Sequence, residues 1–172
     1  MLGGVNPAVR LRPLTDADHD DVLSLNEANV VKLAPLDAER LHLLRSWADR
    51  ADAIEVAGEL AGFVLTFRSG TPYDSENYLW FHEQYGRDFY YLDRIVVDKR
   101  LRRGGIGTTV YDALETLARP HSRMCLEVNL LPPNPASLSF HIGRGYNEVG
   151  TLGNSDHLVT LMAKELTDPV GT

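Results

Sequence analysis

Apolar residues recur along this chain in two rhythms. Runs rich in β-branched, aromatic and other apolar residues predict strands at Ala8 to Arg12, Ala53 to Ala57, Leu60 to Phe67, Tyr90 to Val97, Arg123 to Asn129, Tyr146 to Thr151 and His157 to Ala163. Between them lie stretches with helical spacing. Val22, Leu23 and Leu25 follow Thr15-Asp16-Ala17-Asp18, which has the form of a capping box. Leu41, Leu44 and Trp47 follow the N-cap candidate Asp37. Ile106, Val110, Leu114 and Leu117 mark a third helix, stopped by Arg119-Pro120 because proline disfavours a helical residue before it. A fourth opens at Asn134-Pro135, carries Leu138, His141 and Ile142, and closes at Gly145. Gly58-Glu59 signals a tight hairpin, Gly153-Asn154-Ser155-Asp156 forms the last turn, and Arg68 to Asp88 reads as a long connection. The order β, α, α, β, β, β, α, β, α, β, β, without repeats or a linker, predicts one α/β domain over residues 8–166, with tails at 1–7 and 167–172.

Composition agrees with one globular domain. The chain has 172 residues, 44% apolar and 24% charged, enough for a substantial core. No stretch approaches the roughly 20 apolar residues that span a bilayer. Residues Met1 to Arg10 lack the apolar centre of a signal peptide, so no membrane partner is expected and the cytoplasm is the expected compartment. The single cysteine, Cys125, excludes an internal disulfide and a cysteine-based zinc cluster, and in its strand it reads as a small buried hydrophobe; no metal is expected. A formal net charge of −7 argues against a general nucleic-acid binder and would help attract a cationic amine.

Against this acidic background, four of the five residues from Lys99 to Arg103 are basic, and the run ends in Gly104-Gly105-Ile106-Gly107. A strand that ends in a glycine-rich turn and opens a helix directs several backbone N–H groups at one point, where the helix dipole also favours negative charge. An anion is expected there. A dinucleotide loop starting at Gly105 would need glycine where Val110 stands, and a P-loop would need Gly-Lys-Ser/Thr, which does not occur.

What fits is Arg102-x-x-Gly105-x-Gly107, which resembles the acyl-CoA pyrophosphate loop of the GNAT acetyltransferase superfamily. The segment Asn134-Pro-Ala-Ser-Leu-Ser-Phe-His141-Ile-Gly-Arg-Gly145-Tyr146 resembles the closing signature of the same superfamily. Two motifs in the right order, within the right order of elements, extend the resemblance over roughly residues 9 to 165. It implies the GNAT fold, a mixed twisted sheet of about seven strands with about four helices, and acetyl-CoA as co-substrate. There are two departures. Lys99 replaces a frequent proline, and His141 stands where many members place the tyrosine that protonates the departing thiolate.

The resemblance also implies roles. The backbone of Ile95, Val96 and Val97 would pair with the pantetheine arm, and an amide there, that of Val97, would polarise the thioester carbonyl. Arg102, Arg103, Gly104, Gly105, Ile106, Gly107 and Thr108 would cradle the pyrophosphate, with Asn134, Ser137 and His141 beside the cofactor. Acyl transfer to an amine needs a base, and Glu127 is the leading candidate because related ribosomal-protein alanine acetyltransferases use a glutamate at the matching position. A surface carboxylate paired with arginine is an equal reading of Glu127. Asp93 is the second candidate, although followed by Arg94 it also reads as a local ion pair. His141 would donate to sulfur or position it. Tyr146 reads as core.

Eight of the chain's 14 aromatic residues fall between Tyr73 and Tyr91. With Asp74, Glu76 and Glu83 they could line an amine pocket, for which Tyr78, Trp80 and Tyr91 are the candidates. A lid or a homodimer contact explains the cluster equally well. The leading reading is an acetyl-CoA-dependent N-acetyltransferase acting on a primary amine of a small molecule or peptide. The alternative is a CoA-binding sensor or partner domain without chemistry, and a nucleotide-binding module has no motif behind it.

Overall fold

The structure is a computed structural model describing residues 8–30, 33–102 and 104–166; the two expected tails and Arg103 lie outside the described residues. Its strands are β1 (Val9–Pro13), β2 (Arg50–Val56), β3 (Glu59–Arg68), β4 (Tyr90–Val97), β5 (Arg123–Leu131), β6 (Asn147–Gly153) and β7 (Leu158–Glu165). They form one open sheet in the order β1-β2-β3-β4-β5-β7-β6, antiparallel everywhere except between β4 and β5. The helices are α1 (His19–Glu27), α2 (Ala38–Trp47), α3 (Glu76–Tyr85), α4 (Ile106–Ala118) and α5 (Pro135–Gly143). This is the arrangement that the resemblance implies, with five helices rather than about four.

Period-two alternation gives the sheet two apolar faces. Phe63, Leu65, Phe67, Tyr91 and Cys125 pack on one side against Val22 of α1, Leu41 and Leu44 of α2, and Tyr78 and Phe81 of α3. Val64, Tyr90, Leu92, Leu126 and Met162 pack on the other against Ile106, Val110 and Leu114 of α4. Of the four α4 positions predicted from spacing, Ile106, Val110 and Leu114 are buried and Leu117 is half-buried.

Three local expectations are corrected. The gap from Arg68 to Asp88 contains α3. Ser75 caps it by accepting from the Tyr78 amide at 3.3 Å, and Gly86 closes it at φ 62°. The dense aromatics had masked helical spacing at Tyr78, Phe81 and Tyr85. The first hairpin turns on Ala57 (φ 53°) and Gly58 (φ 81°), one residue earlier than Gly58-Glu59, because both central residues of this turn need positive φ. Strand β2 also starts earlier, at Arg50, where pairing with Thr66 supplies the partner that local sequence does not reveal.

Among the described residues no helix is long and apolar enough to cross a membrane.

Candidate active site

The parallel seam at the centre of the sheet is short. Strands β4 and β5 are in register only at Tyr90 with Met124 and Tyr91 with Cys125, and then diverge. Between the divergent ends runs a continuous cavity of about 1130 Å³. Its walls include Ile95, Val96 and Val97 from β4, Glu127 and Asn129 from β5, Ile106 to Thr108 from α4, and Asn134, Ser137 and His141 at α5.

At one end of the cavity lies the start of α4. Gly105 takes the left-handed conformation at φ 76° as the residue before the helix, and no side chain caps the first turn. The N–H groups of that turn thus remain available to an anion, and a Cβ on Gly107, which also lines the cavity, would meet no protein atom. Arg102 is fixed in the wall, its Nε donating to the Val97 carbonyl at 3.1 Å and its Nη2 to the Asn29 Oδ1 at 2.8 Å. Gly104 does not line the cavity and Arg103 lies outside the described residues. These features fit the diphosphate and arm of an acyl-CoA. Gly105→Ala places a Cβ in the left-handed region, with an expected loss of about 1–2 kcal/mol in denaturant unfolding.

At the other end the chemistry is acidic, and a bulge creates it. Leu65 pairs with Arg94 and Thr66 with Leu92, leaving Asp93 as the extra residue of β4. Alternation is thereby reset, so that Asp93 and Arg94 both turn toward the α1–α3 side. Arg94 Nε donates to Asp93 Oδ2 at 2.6 Å, and Arg94 Nη1 reaches Asn26 of α1 at 3.1 Å and the Ala34 carbonyl at 3.3 Å. The Tyr73 hydroxyl donates to the other oxygen of Asp93.

Glu127 faces the same chamber from β5. Tyr91 donates its hydroxyl to both carboxylate oxygens, at 2.6 and 2.8 Å, and Asn77 of α3 also donates a side-chain hydrogen bond to it. Burial, with the nearby charge of Asp93, pushes Glu127 up to about 8 despite these donors. A carboxyl group with that value exchanges a proton readily near neutral pH.

His141 lies between α5 and α4. Its Nδ1 is 2.7 Å from the Ser137 carbonyl, which can only accept, so Nδ1 carries the hydrogen. Burial holds its value below the ordinary one, so the ring is neutral and Nε2 accepts from the Tyr111 hydroxyl at 2.6 Å.

A family model described as "Acetyltransferase (GNAT) family" matches residues 19–146, most of the chain. The chain belongs to the GNAT acetyltransferase family. No curated protein matches it, but many solved structures do. Ard1 from Thermoplasma volcanium has 18% identity and a TM-score of 0.74, covering 94% of this chain and 99% of its own. The ribosomal-protein-S18-alanine N-acetyltransferase from Escherichia coli has 17% identity and a TM-score of 0.69, with 94% and 96% covered. The ribosomal-protein-alanine N-acetyltransferase from Brucella melitensis has 24% identity and a TM-score of 0.67, with 91% and 99% covered. At these identities the likeness is one of fold.

In this GNAT acetyltransferase the three catalytic candidates Glu127, Asp93 and His141 all border one cavity, as do the cofactor candidates apart from Gly104 and Arg103. The aromatic candidates are placed differently. Tyr78 is core, its hydroxyl donating to the Arg68 carbonyl at 2.7 Å. Trp80 packs over Gly150 of β6, where a Cβ would lie 2.6 Å from the indole. Tyr91 meets the site only through its hydroxyl on Glu127. Helical geometry explains this, since the apolar face of α3 turns inward. The cavity wall instead carries Tyr73, Asp74, Ser75 and Asn77 from the start of α3, with Arg40 paired to Asp74 at 2.5 Å. Tyr73 and Asp74 belong to the aromatic and acidic cluster read from sequence; Ser75 and Asn77 do not, and only the Ser75 cap, by placing a helix start here, would have pointed to them. Tyr146 is core, as read. Among the described residues no group of three or more His, Cys, Asp or Glu is arranged to hold a metal ion.

Proposed function

We propose that this GNAT protein transfers the acetyl group of acetyl-CoA directly to a primary amine of a small molecule or peptide. The observation that carries the reading is the single cavity with an anion-ready helix start at one end and a proton-exchanging carboxyl group, Glu127, at the other. The GNAT family membership supports the co-substrate.

The residues divide the work. The first turn of α4 binds the diphosphate. Beyond Tyr91 the side of β4 that faces β5 has no strand partner among the described residues, which supports its pairing with the arm of the co-substrate and the Val97 amide holding the developing oxyanion. Glu127 takes the proton that the amine must lose before it attacks. Asp93 is the weaker base candidate, because Arg94 and Tyr73 already hold both its oxygens. Tyr73, Asn77 and Asp74 border the acceptor chamber and would contact the amine's substituent.

Incubation with acetyl-CoA and a broad panel of amines and peptides tests the reading. Free thiol should appear in step with acetylated amine. Tight CoA binding with no acyl transfer across the panel would instead favour a silent CoA-binding domain.

A further inference from the structure

The departing sulfur of a thioester is helped by a hydrogen-bond donor, and the residue expected to supply it, His141, presents none to the cavity. Its one ring hydrogen is committed to the Ser137 carbonyl, and its free lone pair is committed to Tyr111. Tyr111 also borders the cavity, and it comes from α4, the helix whose start forms the anion site.

We infer that the hydroxyl of Tyr111 is the donor to the co-substrate sulfur, with His141 as the positioning residue that holds it. This inference rests on the acetyl-CoA reading above. Three observations support it. Tyr111 is 4% exposed and His141 is 6% exposed, so this is a built polar pair in the wall rather than a surface contact. Tyr111 lies on the α4 side of the sheet and Glu127 on the α3 side, so donor and base reach the cleft from opposite faces. Burial raises the phenol far above its ordinary value; Arg144 opposes this, and Glu115 and Glu127 add to it, so the hydroxyl keeps its hydrogen at any working pH.

A hydroxyl has one hydrogen to give. Before the reaction it rests on the neutral Nε2 of His141. As the amine nitrogen bonds to the carbonyl carbon and the C–S bond breaks, the electron pair passes to sulfur. A charge-assisted hydrogen bond to that sulfur then outcompetes the neutral one to the imidazole. Tyr111 turns and donates its hydrogen bond to the thiolate while keeping its own hydrogen, and the sulfur is protonated by the proton that Glu127 took, carried by water in the cleft. The first proton of the ammonium thus ends on the thiol; the second, which the nitrogen must still lose after it has bonded to carbon, passes to the emptied Glu127 carboxylate and on to solvent, and no other reactant is needed.

The test needs no acceptor. CoA is bound to the wild type and to Tyr111→Phe, and the NMR shift of the methylene beside its sulfur is followed against pH. The bound thiol should titrate about one unit higher in the variant, a tenfold loss in its acid constant. Because Tyr111→Phe leaves Nε2 unpaired, Tyr111→Phe/His141→Leu removes both partners and should show the same rise if the single variant does not fold. Identical titration in wild type and variant, with CoA bound to both, overturns this inference alone. Failure of the wild type to bind CoA overturns the acetyl-CoA reading and this inference with it.

Discussion

Replacing Glu127 with Gln is expected to lower kcat/KM for acyl transfer by about 10²- to 10⁴-fold, the usual contribution of a positioned general base. Glutamine keeps the shape, still accepts from Tyr91, and cannot take a proton. CoA affinity should not change, because the carboxyl group lies at the opposite end of the cavity from the α4 start. The pH profile gives the sharper signature. With Glu127 held at about 8, kcat/KM in the wild type should climb with pH and level off above that value, and the residual rate of Glu127→Gln should lack this limb. An unchanged rate, or a limb that survives in the variant, would transfer the role to Asp93 or to solvent.

The same shift has a consequence for stability with a definite sign. Glu127 is raised from 4.5 to about 8, so its favourable contribution is complete below the lower value and is lost as pH rises through the upper one. The wild type should therefore lose stability relative to Glu127→Gln between those two pH values, as read by urea unfolding.

The second large effect falls on folding. Arg94→Met should destabilise the protein by about 3–5 kcal/mol, the cost of stranding one partner of a buried ion pair. The side chains of Arg94 and Asp93 are each only 6% exposed, and without the guanidinium the Asp93 carboxylate keeps Tyr73 as its side-chain donor among the described residues. Arg94 also ties α1, through Asn26, and the segment after it, through the Ala34 carbonyl, to the sheet, so these groups lose a donor as well. Denaturant unfolding of Arg94→Met beside Arg94→Met/Asp93→Asn separates the two parts. The double variant should recover much of the loss, since it removes the stranded charge, and equal losses in both would assign the whole effect to the α1 tether.

The contrast between what could be read early and what could not follows from the range of the forces involved. Helix α4 was legible because its glycines, its basic run and its apolar stripe are all local, and the same holds for the Asp37 cap, whose side chain accepts from the Arg40 amide at 2.7 Å. Strand β4 was legible to the residue. The bulge at Asp93 was not, because it is a mismatch between two strands and neither strand shows it alone. Glu127 could be named from resemblance, but its elevated value comes from burial and from the nearby Asp93, against the lowering effect of Tyr91 and Asn77, and this setting exists only once β4 and α3 are packed around β5. Tyr111 was hidden for a related reason. It lies next to Val110 on a helix read for its apolar face, and only the packing of α5 brings a histidine to its hydroxyl.

The seam between β4 and β5 has a mechanical meaning. The sheet is two leaves, β1 to β4 and β5 to β7, joined in the middle by two residue pairs. Tyr90 and Tyr91, at that joint, are anchored on opposite faces, one in each core, so the joint itself is stiff. Farther along, the rims from Arg94 to Val97 and from Glu127 to Asn129 form the free ends of a wedge-shaped gap, where a small change in splay gives the largest displacement. A molecule lying in that gap and bonded to both rims acts as a strut. It fixes the separation between the β4 backbone proposed to hold the oxyanion and Glu127, and in that proposal the spacing on which the chemistry depends is set in part by the substrate itself.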